Sequence, residues 1–285
     1  MPKAFESDPG SRKFFCRNEF VKLLPSILVA CLLLGLSSGL LALQRRGFED
    51  EETPALPPGS DQRAEWTFAR FHYPSGSGNP FSGFRGFQLW AADYPKADRQ
   101  FVQGVRRLTR LHARPMEQIV DADSDDLYNW PWIYMEHGAG WDLSEVQASR
   151  LRQYLLKGGF LFADDTHGDY EWEAFFRGLK MIFPDRSVEE LKDDDEIFHV
   201  VYDLDQRFQI HGTRFLWGGR VYSSDMAEPK WRGVRDDSGR IMVAICHNSD
   251  VGDAWEWADS PQYPERETSL AYRIGVNYII YGLTH

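Results

Sequence analysis

Two short apolar runs, Trp132–Met135 (WIYM) and Phe160–Ala163 (FLFA), flank one clearly signalled helix. No other feature restricts the fold of this chain as much. Ser144 stands where an N-cap is needed, and Gln147 three residues later completes a capping box. Val146, Leu151, Tyr154 and Leu155 form the apolar stripe, and Gly158-Gly159 supplies the stop. Strands buried on both faces read as continuous apolar runs rather than alternating ones. A strand, a helix and a second strand of this kind predict a parallel pair joined by a crossover.

The remainder extends that pattern. Trp66–Tyr73 alternates and is rich in aromatics, which predicts a strand, and Glu117–Val120 adds a short one. Ala97–Leu111 carries Phe101, Val102, Val105, Leu108 and Leu111 at helical spacing. Trp172–Phe183 reads as a helix ended by Pro184, and Thr268–Tyr281 as a closing helix with Leu270, Ile274, Tyr278 and Tyr281 on one stripe. Phe198–Tyr202, Arg220–Ser223 and Ile241–Cys246 are further strand candidates, the last preceded by the turn Asp236-Asp237-Ser238-Gly239. The predicted class is α/β, a mostly parallel sheet with helices on both faces.

Ahead of this domain, Leu23–Leu43 is uncharged from end to end, about the ~20 residues that a bilayer-spanning helix needs. Lys3, Arg12, Lys13, Arg17 and Lys22 precede it, and Glu49–Glu52 follow Arg45 and Arg46 closely. That bias predicts a cytoplasmic segment 1–22, a single transmembrane helix 23–43, and the rest of the chain periplasmic, on a bacterial inner membrane. Two other readings of the segment stay open: a cleaved signal peptide, and a lipoprotein box at Leu28-Val29-Ala30-Cys31. Residues 44–63 are acidic and rich in Pro and Gly, a solvated linker, so the folded domain is expected over 64–285.

Net charge is −11, with no basic stripe beyond the N-terminal one, which argues against a nucleic-acid partner. Of the three cysteines only Cys246 lies in the domain, so neither a disulfide framework nor a zinc-type cysteine pair is available there.

Three stretches in order, TFARFHYPSG (Thr67–Gly76), GGFLFADD (Gly158–Asp165) and YRIGVNYIIYGLTH (Tyr272–His285), resemble a bacterial family of unknown function, the one numbered four-one-five-nine, with a glutamine-amidotransferase-like domain. The resemblance covers about Glu65–His285. It implies a flavodoxin-like three-layer sandwich of the class I glutamine amidotransferase type, and it implies no activity. Amidotransferases place a nucleophilic Cys on a tight turn after a sheet strand, with a His and a carboxylate to activate it. The strand here most like that one ends in Asp164-Asp165-Thr166-His167, and Cys246 sits on a late strand, so glutamine hydrolysis of the usual kind is not expected.

In open parallel sheets ligands bind beyond the carboxyl ends of the strands. The expected rim carries His72 after the first strand, Glu136 and His137 after WIYM, and Asp164, Asp165, His167 and Asp169 at and after FLFA. His247, Asn248 and Asp250 follow the strand at 241–246. Glu136, His137, Asp164, Asp165, His167 and Asp169 are the candidate ligand-binding residues. Imidazole with carboxylate suits zinc, iron or manganese, so His137, Asp165, His167 and His247 are the candidate metal ligands, although no motif specifies a cofactor. Arg70 and Arg85 are the cations expected to accompany buried acids. Each residue also has an ordinary role open to it: Asp164 and Asp165 as caps of the following helix, His137 as a backbone partner in a glycine turn.

Two functions follow as expectations. One is a non-catalytic, membrane-tethered binding or assembly module of the cell envelope, with envelope or membrane proteins as partners. The other is a metal-dependent hydrolase acting on an envelope or sugar substrate.

Overall fold

The continuous apolar runs become the centre of a seven-stranded sheet. The structure, a computed structural model, describes Pro58 and residues 63–75, 88–219 and 221–285. Its strands are β1 (Ala69–His72), β2 (Gln118–Asp121), β3 (Trp132–Met135), β4 (Phe160–Thr166), β5 (Glu189–Glu190), β6 (Lys230–Arg235) and β7 (Ile241–His247), in the order β2-β1-β3-β4-β7-β6-β5. From β2 to β7 every pairing is parallel; β6 and β5 extend the β7 side antiparallel. Trp132 pairs with Phe160 and Met135 with Ala163, the parallel register expected of WIYM and FLFA.

Alternate residues of these runs feed two separate cores, because successive side chains point to opposite faces. Phe68, Trp132, Tyr134, Phe160 and Phe162 pack with helices α1 (Lys96–Leu108), α5 (Val251–Glu256) and α6 (Glu265–Thr284). Ile133, Met135 and Leu161 pack with α2 (Glu145–Leu156) and α3 (Gly168–Ile182). A one-turn helix, α4 (Thr213–Leu216), precedes β6. The first core is aromatic, with Phe101 stacked on Trp255 at 4.0 Å between ring centres. The capping box at Ser144 and Gln147 opens α2 as expected, and Gly158 follows its end with φ +109°, a left-handed conformation that favours glycine.

Two predicted strands do not form. Phe198 ends a short 3-10 turn, and the backbone of Tyr202 is held by the Asn277 side chain of α6, which accepts from its N–H and donates to its C=O, both at 2.9 Å. Those groups are thereby satisfied without a neighbouring strand. Residues 221–223 are irregular, and Val221 is 90% exposed. Arg220, the predicted span 23–43, most of the linker, Gly76–Gly78 and Arg85 lie outside the described residues. Among the described residues no helix is long and apolar enough to cross a membrane.

Candidate functional site

The strand order places β1 between β2 and β3, so the chain leaves β1 toward one side and returns on the other. The crevice beyond the carboxyl ends at such a reversal is where ligands bind in open α/β sheets. Glu136 and His137 follow β3, Asp164 and Asp165 directly precede Thr166, the last residue of β4, and Asp250 caps α5 just after β7. The loop after β1 adds Asp93.

Backbone conformation singles out the same place. Among the described residues the non-glycine positions with left-handed φ are Asp93 (59°), His137 (46°), Asp165 (49°) and Asn248 (63°). All four lie beyond or at the carboxyl ends of parallel strands, or in the loop that faces them. Asp, Asn and His tolerate this region better than other side chains, yet it still costs energy, and such residues gather at ligand clamps and active sites.

Asp165 is the hinge of one half of the cluster. Its Oδ2 lies 2.7 Å from His137 Nε2 and its Oδ1 2.8 Å from His167 Nδ1, while its backbone oxygen lies 3.1 Å from His137 Nδ1. Burial alone would raise the Asp165 carboxyl; His137 and His167 outweigh it and hold the group well below the usual carboxylate range. Burial disfavours the His137 cation, and Asp165 outweighs that, raising its pKa to about 9. His167 Nε2 is buried and has no hydrogen-bond partner among the described residues. The ring stands beside Tyr222 and Phe215. The His167 backbone N–H donates to Glu171 Oε2 at 2.8 Å, and burial followed by the nearby Asp165 raises the Glu171 carboxyl.

The other half is acidic. The Tyr134 hydroxyl lies 2.5 Å from Glu136 Oε2 and 3.0 Å from Asp164 Oδ2. A phenol has one proton, so one of these acids must itself be protonated for both contacts to be hydrogen bonds. Asp164 Oδ2 also accepts from the N–H groups of Val251 and Gly252, each at 2.8 Å. It therefore caps α5 rather than the helix that follows it in sequence. Burial, then Asp165, pushes the Asp164 carboxyl up to about 7. Burial, Asp164 and Asp165 drive Glu136 well up; burial, Asp253 and Glu136 do the same to Asp93, and burial, Asp165, Asp253 and Asp93 to Asp250.

Arg70 is the buried cation beside this cluster. Its Nη1 is 4.0 Å from Glu136, but its main partner is Asp98, reached through both Nε and Nη2. Nη1 also donates to the carbonyls of Trp90 (2.9 Å) and Ala92 (3.1 Å), which fixes the loop that presents Asp93.

The remaining candidates sit apart. Asp169 is exposed on the first turn of α3, where its N–H donates to Asp225. His72 is partly exposed and paired with Asp121 across β1 and β2, its ring against Trp90. His247 stacks on Trp172 at 4.8 Å, with Arg232 on the same indole, and does not reach Asp165. His137 and His167 thus each pair with Asp165, through different oxygens, and with His247 they form no set of ligand atoms close enough to share a metal. Two sets of oxygens among the described residues lie close enough to share a cation, Asp93 with Glu136 and Asp250, and Asp93 with Asp253 and Glu256, each within 4.8 Å of one another. Asp93 stands late in the loop after β1, far along the chain from the strand end, and carries no sequence signal; Tyr134, which couples Glu136 to Asp164, reads in the sequence only as core.

Fold and crevice together define an α/β domain with a buried carboxylate and imidazole cluster at the carboxyl edge of its parallel sheet. The chain belongs to the family described as Domain of unknown function (DUF4159), whose model matches residues 85–283. Comparison with curated proteins finds no match.

Proposed function

We propose that this chain is a ligand-binding module of the bacterial envelope that keeps a glutamine-amidotransferase-like, flavodoxin-type fold and has lost the thiol chemistry of that class. Leu23–Leu43 tethers it to the inner membrane as a single pass, the domain faces the periplasm, and its partners are envelope or membrane proteins. The observation that carries the reading is the residue one before the end of β4. Where the class places its nucleophilic cysteine, a left-handed Asp165 is clamped between His137 and His167. The domain's cysteine, Cys246, is instead fully buried in the sheet, its thiol pushed up first by burial and next by Asp164. Nucleophilic catalysis needs a thiolate that can be reached.

The test is ammonia release from glutamine by the full-length chain purified in detergent. None is expected. Glutamine hydrolysis that disappears in Cys246→Ser would overturn the reading.

One observation favours the second reading, a metal-dependent hydrolase. Asp164 directly precedes Asp165 of the His137–Asp165–His167 unit, burial and Asp165 push its carboxyl up to about 7, and a group poised near neutrality suits general acid–base work. Cation-dependent degradation of isolated envelope polysaccharide, lost in His167→Gln, would decide for it.

A further inference from the structure

We propose that Asp93, Glu136 and Asp250 form a binding site for a hard divalent cation, Ca²⁺, Mg²⁺ or Mn²⁺. The inference rests on the reading of this crevice as a ligand site. An oxygen from each of the three carboxylates lies within 4.8 Å of the other two. Oxygens sharing one cation at ~2.0–2.6 Å are at most about 5 Å apart, so the spacing is that of a common centre. The donor set is all oxygen and anionic, which selects hard cations over zinc or iron.

A cluster of acids alone would not carry this. Glu136 is fully buried, and its Oε1 has no hydrogen-bond partner among the described residues. Asp164 Oδ1, coupled to it through Tyr134, is in the same condition. A buried carboxylate oxygen left without a donor is costly, and a cation supplies what is missing. Gly252 provides the room. A Cβ at that position would stand 2.6 Å from Glu136 Oε2 and 2.8 Å from Asp93 Oδ2, so only a glycine lets these two groups meet over the start of α5.

The surroundings agree with a bound cation. Arg70 is held by Asp98 and two backbone carbonyls, so its charge reaches Glu136 only at 4.0 Å. His137 and His167 spend their nearer ring nitrogens on Asp165. Asp250 Oδ1 accepts from the Asp253 N–H at 2.8 Å, a bond that an asparagine at 250 can also make. Asp253 belongs to a second set with Asp93 and Glu256, also within 4.8 Å of one another, but that set lacks an unpartnered buried oxygen like Glu136 Oε1, and Asp253 Oδ2 already accepts from the Thr213 N–H and hydroxyl.

The experiment uses the full-length chain in detergent, stripped with EDTA and titrated with each of the three cations alone. Calorimetry should give close to one cation per chain for at least one of them. The melting temperature should rise by roughly 5–10 °C at about 100 times the dissociation constant. Asp93→Asn and Asp250→Asn should each weaken binding at least tenfold. In metal-free buffer Asp93→Asn should melt no lower than wild type, since it removes repulsion and no hydrogen bond; that result separates lost binding from lost folding. Absence of uptake at millimolar concentration overturns the proposal, as does an Asp93→Asn variant that binds like wild type. Zinc binding that survives Asp93→Asn and is lost in His167→Gln also overturns it, by assigning the metal to the Asp165 unit. None of these failures bears on the glutamine assay, so the envelope-module reading stands or falls separately.

Discussion

His137 and His247 close strands on either side of β4 and are held in opposite charge states. His137 faces Asp165 and keeps its proton, whereas burial, followed by the charge of Arg232, lowers the His247 pKa to about 3. The unfolded chain takes up a proton at His247 near the ordinary imidazole value of 6.5, while the folded chain resists until about pH 3. This contribution to stability is therefore complete above about pH 6.5 and is lost progressively as pH falls toward 3. His247→Phe, which keeps the stacking on Trp172, should flatten the dependence of unfolding free energy on pH across that window. An acid limb unchanged in the variant would show that the imidazole is protonated in the folded state. Residues of this kind were only partly legible. Glu136, His137, Asp164 and Asp165 could be placed because each terminates an apolar run. What they touch depends also on partners as far as 88 residues away, such as the Gly252 N–H on Asp164, and no local pattern encodes those.

At the scale of elements, Arg70 ties three pieces of the domain together. It stands on β1, pairs with Asp98 on α1, and holds the Trp90 and Ala92 carbonyls of the connecting loop. Arg70→Met would leave Asp98 buried without its counter-charge, at a cost of ~3–5 kcal/mol for a broken buried pair. Denaturant unfolding should show that loss, and adding Asp98→Leu should recover a substantial part of it, because no orphaned charge then remains. Equal stability of Arg70→Met and wild type would mean that the pair is not a structural tie. The parallel pair β3–β4 and the capped α2 were legible because their signals are local: apolar runs, a capping box, a glycine stop. The segment 198–202 misled because its aromatic and β-branched residues pack on α6 while Asn277 serves the backbone. Helix α5 carried no usable periodicity over six residues, and its start is defined by Asp164 from another strand.

For the whole molecule, the sequence describes a domain joined to an apolar segment by an acidic, proline-containing linker. The uncharged run Leu23–Leu43 would, as the proposed helix at ~1.5 Å per residue, be long enough for the ~30 Å of a bilayer core. Five basic residues precede it, whereas the two that follow, Arg45 and Arg46, give way at once to Glu49, Asp50, Glu51 and Glu52. Since basic residues are retained on the cytoplasmic side, the domain is expected on the outer face of the membrane. A reporter active only in the periplasm, fused after Gly47, should be active and should sediment with membranes through a high-salt wash. Replacing Lys13, Arg17 and Lys22 with glutamate should reduce or invert that orientation, because it removes the bias on which the assignment depends. A soluble mature protein beginning after residue 40 would instead show cleavage of a signal peptide. A cytoplasmic reporter would place the carboxylate crevice in a compartment of high Mg²⁺ and low Ca²⁺. The cation that fills Asp93, Glu136 and Asp250 therefore depends on which side of the membrane the domain occupies, and the topology experiment bears on the site as well as on the anchor.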